Sequence, residues 1–425
     1  MSARRAPLPT DPTDVTIDGF TYGGEGVGRI DGKAVFVPGT IPGERVRVRV
    51  VDDRRTWARA ELLEVLAASP DRVVPPCPYV HPDRDVKCGG CDLQHITPAR
   101  QRLLKTRVVR EQLTRLGGIE DPPVAETLEV GPDAAYRNRA QFHSDDEGRL
   151  GFHASGTHDV VPIDRCLVLA PMPQALREGV GDGSGAAEVE VRGHRGGGAA
   201  VLRPGDGPLQ LPEGEADLLL TQPDGSAITM RGDGMCSEVV GGLTYRFPAD
   251  GFFQVNTLGA EALVDHVLRT VGEIRGALVW DLYAGVGLFS VPLAMAGADV
   301  VAVEAEPSSA AFIEENAQAA GATVRATTGD VATFVSGAAA RQDPPDVVLL
   351  DPPRSGAGED VCGALVDLRP ADIVYVACDV AALARDARTI VGGGYELVSA
   401  QPLDLFPHTH HVEVVAQFRP AHTGG

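Results

Sequence analysis

The sequence predicts an α/β protein, with a doubly wound C-terminal domain preceded by a small OB-type β-barrel and a central, mostly-β domain. Three observations carry that reading. From Ala277 to Phe418, short apolar runs alternate with helical patterns, and the first run turns through the glycine-rich Tyr283-Ala-Gly-Val-Gly-Leu-Phe289. Residues 13–68 hold four or five short alternating runs separated by turn clusters. Residues 123–247 are Gly-rich, with β-like stretches such as Tyr136–Phe142, Leu150–Phe152, Val189–Val191 and Ala199–Leu202. At 425 residues the chain has room for two to four domains.

Charge limits the partners. Lys and Arg number 38 against 59 Asp and Glu, a net charge of −21, a poor overall signature for binding nucleic acid. Placement modifies this. Residues 1–60 carry ten basic and eight acidic side chains, and residues 98–115 carry six basic against one acidic. A polyanion can therefore find local basic faces. No apolar run is long enough to span a membrane, and the N-terminus lacks the apolar core of a signal peptide. Seven cysteines, three of them clustered, do not form a secreted disulfide framework, so a reducing cytoplasm is the simplest compartment. No protein partner is evident, and a monomer is the default.

Taken in order, residues 1–12 read as a disordered N-terminus and 13–68 as the barrel. Its runs are Val15–Ile17, Ala34–Val37, Arg45–Val51 and Ala58–Leu62, with turns at Tyr22–Gly28, Asp31-Gly32 and Pro42-Gly43. Arg45, Arg47 and Arg49 share one strand face, either facing a polyanion or guarding an edge. Cys77, Cys88 and Cys91 then fall in a Pro/Gly-rich loop. A C-x-x-C pair lets two thiolates reach one metal centre, and on spacing alone structural zinc is the first choice, with Cys166 available as fourth ligand. Residues 98–119 read as a basic amphipathic helix, with Leu103, Leu104, Val108, Leu113 and Leu116 apolar and Gly117-Gly118 ending it. It is expected to pack on the C-terminal domain. Residues 69–97 and 120–247 are assigned to the central domain, and 248–420 to the C-terminal domain.

Gly24-Glu-Gly-Val-Gly-Arg-Ile-Asp-Gly-Lys33 with Val35-Phe-Val-Pro-Gly-Thr-Ile-Pro-Gly-Glu-Arg-Val46 resembles the TRAM domain of RNA-modifying enzymes. Ser69–Cys77 and Cys88-Gly-Gly-Cys-Asp-Leu-Gln-His95 are similar to the RNA 5-methyluridine methyltransferases, in their iron–sulfur branch. That resemblance implies a 4Fe–4S cluster on Cys77, Cys88, Cys91 and Cys166, with zinc or an empty site as alternatives. It also makes Arg137 and Arg139 candidate RNA contacts, beside a structural ion-pair role.

In the C-terminal domain, strand, Gly-rich turn, helix, strand and terminal acid Glu304 form a nucleotide-cofactor pattern that fits NAD as well. Three later features discriminate. Asp351-Pro-Pro-Arg354 ends a strand, Cys378 ends the next, and Leu405–Glu413 leads into a closing strand, all in the order of the same family. The resemblance thus implies a class I, Rossmann-like methyltransferase domain. Cys378, read alone, is a thiol between strand and helix that can be an activated nucleophile or an inert buried residue. The resemblance makes it the nucleophile and Glu413, 413 − 378 = 35 residues on, the base. It implies S-adenosylmethionine contacts from Gln254, Tyr283, Glu304, Asp330 and Asp351, although Tyr283 also reads as core and Asp330 as a helix cap. Val380 stands where the family has Pro, and Leu288 where it commonly has Asn, a loss expected to weaken cofactor binding. Cys236 and Cys362 read as structural.

The implied activity is methylation of uridine carbon 5 in structured RNA, ribosomal before transfer RNA. The alternative is an RNA-binding protein of the same fold with weakened or lost catalysis.

Overall fold

The computed structural model describes Leu8, residues 11–82, Arg84 and residues 86–421. Strands β1 (Thr13–Phe20), β2 (Gly26–Ile30), β3 (Lys33–Val37), β4 (Arg45–Asp53) and β5 (Trp57–Ala67) close into a barrel in the order β1-β2-β3-β5-β4. Alternate residues point inward, so Val15, Ile17, Val35, Val37, Val46, Val48, Ala58 and Ala60 fill its core. Closure depends on Gly28, where a Cβ would lie 2.3 Å from Val15 Cγ1 and 2.6 Å from the Thr16 carbonyl oxygen. Leu8 packs onto this core and donates its backbone N–H to Asp53 (3.0 Å). The rest of the expected disorder, at residues 1–7, 9 and 10, lies outside the described residues.

The arginine row on β4 is not an open cationic stripe. Arg47 pairs with Asp14 (2.9 Å) and Glu64 (3.1 Å), and Arg49 with Glu61 (3.6 Å). Neighbouring strands place an acid beside each arginine, a cross-strand arrangement that stabilises the sheet surface.

Helix α1 (Pro98–Arg115) opens with Pro at its first position and buries Leu104, Val108, Val109 and Leu113. Leu103 and Leu116 are exposed, contrary to the sequence pattern, because the buried stripe rotates to include Val109. Lys105, expected on the basic face, is buried and pairs with Asp404 at 2.6 Å. The short strand β6 (Leu128–Glu129) runs parallel to the last-but-one strand of the catalytic sheet, so this part of the expected central domain completes the catalytic one.

The central domain is a seven-stranded sheet built from β7 (Arg139–Ser144), β8 (Leu150–His153), β9 (Val160–Pro162), β10 (Ala186–His194), β11 (Gly197–Pro204), β12 (Asp217–Thr221) and β13 (Ala227–Arg231). Helix α2 (Pro171–Val180) precedes β10. The strand order is β13-β12-β11-β10-β7-β8-β9, antiparallel except that β11 and β12 run parallel. Hairpin β14 (Met235–Val240) and β15 (Leu243–Pro248) turns at Gly241-Gly242, both at positive φ, as a two-residue hairpin requires. Its Cys236, Val240, Tyr245 and Phe247 belong to the catalytic domain's core.

That domain runs α3 (Thr257–Val271), β16 (Leu278–Leu282), α4 (Ser290–Met295), β17 (Asp299–Glu304), α5 (Pro307–Ala319), β18 (Val324–Thr328), α6 (Val331–Arg341), β19 (Val347–Leu350), α7 (Glu359–Leu368), β20 (Asp372–Ala377), α8 (Val380–Gly392), β21 (Tyr395–Asp404) and β22 (Glu413–Pro420). The sheet order is β18-β17-β16-β19-β20-β22-β21-β6. Strands β16 to β20 are mutually parallel; β16, β19 and β20 are largely buried, hence their apolar runs, whereas β18 at the edge is largely solvent-accessible. The order reverses beside β16, and the crevice at the carboxyl ends of β16 and β19 is the topological switch point of the sheet. Strand β22 enters antiparallel between β20 and β21, so its first residue sits at the same edge as the last residues of the parallel strands. Among the described residues no helix is long and apolar enough to cross a membrane.

Candidate active site

Three acid or thiol side chains meet at that edge. Asp351 follows β19, Cys378 follows β20, and Glu413 opens β22. Ala377 pairs with Val414 across the β20–β22 ladder, so Cys378 and Glu413 are neighbours in space despite their separation in sequence. Cys378 is half-buried and Glu413 buried. Burial pushes the Glu413 carboxyl up to about 7, with the Arg354 guanidinium opposing the rise. Burial, then the nearby Glu413 and Asp351, push the Cys378 thiol up to about 12, again opposed by Arg354. Asp351 is raised well above the usual carboxylate range by burial and by Glu413 and Asp281. The resting site thus favours neutral acids, and a carboxyl near 7 can both take and release a proton at physiological pH. Arg354, exposed beside these groups, is the cation that favours a thiolate.

Helix α8 begins directly after the thiol. Asp379 caps it, with Oδ1 accepting the Ala382 N–H at 2.7 Å, and Val380 is fully buried at the first helical position. The cap and the packing hold this turn without a proline.

The crevice beside β16 is shaped by its turn. Tyr283 adopts φ +65°, a left-handed conformation uncommon for a non-glycine residue, and Gly285 and Gly287 follow at +57° and +91°. Glu304 at the end of β17 accepts the N–H groups of Gly285 and Glu306, each at 2.8 Å, and its remaining lone pairs are free for further donors. Asp330 caps α6 through Thr333 N–H (2.8 Å), which holds its carboxyl below the usual range. Its cap role is therefore real, and it lies just beyond the end of β18. Tyr283 is half-buried against the apolar group under α6 and α7. Gln254 is buried in the loop before α3, its carbonyl near Asn138 Nδ2 (3.4 Å). Leu288 is buried, and its carbonyl accepts the Tyr245 hydroxyl at 3.1 Å.

Two groups at the site escaped the sequence reading. Asp281, inside β16, is fully buried, accepts the Ser290 hydroxyl, and is pushed up to about 7 by burial. Its signal was a charge within an apolar strand. Tyr22 of the barrel donates its hydroxyl to Asp379 Oδ2 at 2.6 Å, and nothing local to residue 22 announces that.

Cys77, Cys88, Cys91 and Cys166 are all free thiols, and the other three lie near enough to Cys91 for their charges to act on it. Burial pushes the Cys91 thiol up to about 12, with Cys166, Cys88 and Cys77 each adding to the rise, and Cys88 up to about 11, with Cys166 and Cys77 contributing. Their loops are fixed by side-chain amides: Gln94 accepts the Cys77 N–H (3.2 Å) and Gln174 the Cys166 N–H (3.1 Å). Among the described residues no group of three or more His, Cys, Asp or Glu closes to the geometry of a metal site. Arg139 is committed to Glu190 through two 2.6 Å bonds, and Arg137 donates to the Arg139 carbonyl (2.7 Å) while lying near Cys166 and Cys91. Cys236 and Cys362 are buried in the catalytic core.

Comparison with known proteins follows the same division. Residues 13–63 match the TRAM domain, and residues 265–354 match the TRM5/TYW2 methyltransferase domain. An RNA methyltransferase of Streptomyces avermitilis without assigned target is 36% identical over 433 residues, covering 97% of this chain and 99% of that one. The 23S rRNA (uracil(1939)-C(5))-methyltransferase of Alkalilimnicola ehrlichii is 35% identical over 451 residues, covering 99% of both chains. Among solved structures, the Pyrococcus abyssi tRNA (uracil-54, C5)-methyltransferase in complex with S-adenosyl-L-homocysteine superposes with a TM-score of 0.74 at 23% identity. The match covers 96% of this chain and 100% of that one, and shows a common fold. With a TRAM barrel, a class I methyltransferase sheet and full-length similarity above 30% to a named member, the chain belongs to the family of TRAM-containing RNA uracil-C5 methyltransferases.

Proposed function

We propose that this protein uses S-adenosylmethionine to methylate carbon 5 of a uridine in ribosomal RNA, with Cys378 as nucleophile and Glu413 as base. The observation that carries the reading is the β20–β22 ladder, which sets thiol and carboxyl side by side at the switch-point crevice. Carbon 5 of uracil is too weak a nucleophile to attack a methyl sulfonium unaided. The Cys378 thiolate adds to carbon 6, and the electron pair moves to carbon 5 as an enolate. Carbon 5 then takes the methyl group. Glu413 removes the proton left on carbon 5, the C5=C6 double bond re-forms, and the thiolate leaves. Asp351, whose carboxyl is raised well above the usual range, stands where it could orient the uracil edge. The bound cofactor supplies the electrophilic methyl. Glu304, with lone pairs to spare, would take its ribose hydroxyls, and Asp330, Tyr283 and Gln254 would supply further contacts to it.

Ribosomal RNA is favoured over transfer RNA by the full-length relatives that carry a 23S rRNA name. Mapping 5-methyluridine in ribosomal and transfer RNA from a deletion strain tests this, and loss of the mark from transfer RNA alone would reverse it. The mechanism is tested with 5-fluorouridine-substituted RNA. A covalent adduct should form and vanish in Cys378→Ala. Full turnover by Cys378→Ala would refute it. Failure to bind S-adenosylmethionine, with RNA binding kept, would support a non-catalytic RNA-binding protein instead.

The four cysteines are proposed to hold a 4Fe–4S cluster. Four unbridged thiols and the family resemblance support this reading, with zinc as the alternative for the same ligands. Arg137 places a positive charge near the thiolates that such a cluster requires. The cluster would tie the Cys77–Cys91 loop to Cys166 of the central domain. Visible absorbance with iron and sulfide assay on anaerobically purified protein decides it, and a colourless protein with one zinc would overturn it.

A further inference from the structure

Tyr22 of the N-terminal barrel reaches the residue beside the candidate nucleophile. The turn between β1 and β2 is tight, with Gly24 N–H donating to the Thr21 carbonyl (3.1 Å) and Thr21 N–H to the Glu25 carbonyl (2.8 Å). Arg59 on β5 pairs with Glu25 at 3.1 Å and ties this turn to the barrel wall. The turn is seated closely on the loop before β22, since a Cβ at Gly24, which has φ +80°, would lie 3.0 Å from His410 Cβ. From it Tyr22 reaches Asp379, with its ring edge-on to His410 at 6.1 Å between centroids. His410 in turn contacts Asp92, the residue after Cys91. Barrel, cysteine loop and closing strand therefore converge beside Cys378.

Asp379 is divided between two partners. Oδ1 accepts the Ala382 N–H and caps α8, while Oδ2 accepts the Tyr22 hydroxyl at 2.6 Å, within the short range of charge-assisted bonds. Cys378 is the residue directly before this cap. Any rotation of the Asp379 carboxylate pulls on the turn that aims the thiol.

We propose that Tyr22 is a positioning residue for Cys378, through which the RNA-binding barrel holds the nucleophile's turn in its reactive geometry by way of Asp379. This deepens the proposed function and rests on it for the identity of the nucleophile. Two consequences separate it from a merely structural contact. The phenol O–H offsets negative charge beside the thiol, so its loss disfavours the thiolate. The effect must also pass through Asp379.

The test uses full-length Tyr22→Phe, which keeps the ring and removes only the hydroxyl. At saturating RNA, the rate of adduct formation with 5-fluorouridine RNA should fall about tenfold, with RNA affinity and cofactor KM unchanged. The pH profile of Cys378 alkylation, measured without RNA, should move to higher pH. In an Asp379→Asn background, where Asn keeps the helix cap, the same substitution should change the rate less than about twofold. A wild-type adduct rate with an unmoved alkylation profile would overturn the proposal. So would a loss confined to RNA affinity, which would make Tyr22 an RNA contact. If the wild-type protein forms no adduct while Tyr22→Phe still moves the alkylation profile, the enzymatic reading fails and the positioning role stands.

Discussion

Replacing Glu413 by Gln should make the protein more stable at pH 8 while stopping turnover, and the two effects have one cause. The carboxyl is 4% exposed, and burial raises it from an ordinary 4.5 to about 7. A raised acid favours folding while protonated: its contribution is complete below the unfolded value and is lost as pH rises through the folded one. The window therefore runs from about 4.5 to about 7. A shift of about 2.5 units corresponds to a loss on the order of 3 kcal/mol once the carboxylate is forced to ionise. The amide has nearly the same shape and no charge to bury. Chemical denaturation at pH 4.5 should show the two proteins equal, and at pH 8 the variant ahead by that amount. Turnover should fall by about 10²- to 10⁴-fold, the usual worth of a general base. Because the thiol still adds, the RNA adduct should accumulate on ordinary uridine, visible as a shifted band on a denaturing gel. Equal pH dependence of stability in both proteins would refute the buried acid. Full turnover would refute its role as base.

The other expectations are simpler to state. Lys105→Met strands Asp404 in a buried site where the pair now sits at 2.6 Å, and should cost about 3–5 kcal/mol of stability, with Lys105→Met/Asp404→Leu recovering most of it. Gly28→Ala puts a methyl 2.3 Å from Val15 Cγ1, and should destabilise by about 3 kcal/mol or more, read as earlier melting with loss of RNA binding. Arg354→Gln removes the cation opposing the rise of the Cys378 thiol, so alkylation of that thiol should require higher pH. An unchanged profile would place the guanidinium elsewhere during catalysis.

Much of this architecture was legible because its signals are local. The barrel's alternating runs and glycine turns, and the strand–turn–helix around Tyr283, are periodicities that a linear reading detects. The meeting of Cys378 with Glu413 was legible only through resemblance, since no spacing rule says that β22 returns antiparallel beside β20. Properties set by register were hidden. Arg45, Arg47 and Arg49 read evenly as facing a polyanion or guarding an edge, and only register shows Asp14, Glu61 and Glu64 beside them. Arg139 read equally as an RNA contact or an ion pair, and Glu190 on the adjacent strand engages it. The parallel direction of the β11–β12 pair is not legible, because the 205–216 connection carries no mark of strand direction. Tyr22 was invisible because its partner lies 357 residues away.

The antiparallel entry of β22 has a further consequence for how such an enzyme can change. The spacing of Cys378 and Glu413, proposed above as nucleophile and base, is a property of backbone pairing, fixed by the Ala377–Val414 rung. Drift in surrounding side chains cannot open or close it gradually. A slip of one residue would turn every side chain of the strand to the opposite face and abolish the pair outright. The loop from Leu405 to Val412 is held as firmly, with Leu405, His408 and Val412 buried and the His408 carbonyl accepting the Asp92 and Leu93 N–H groups, so the strand it leads into has little freedom to slip.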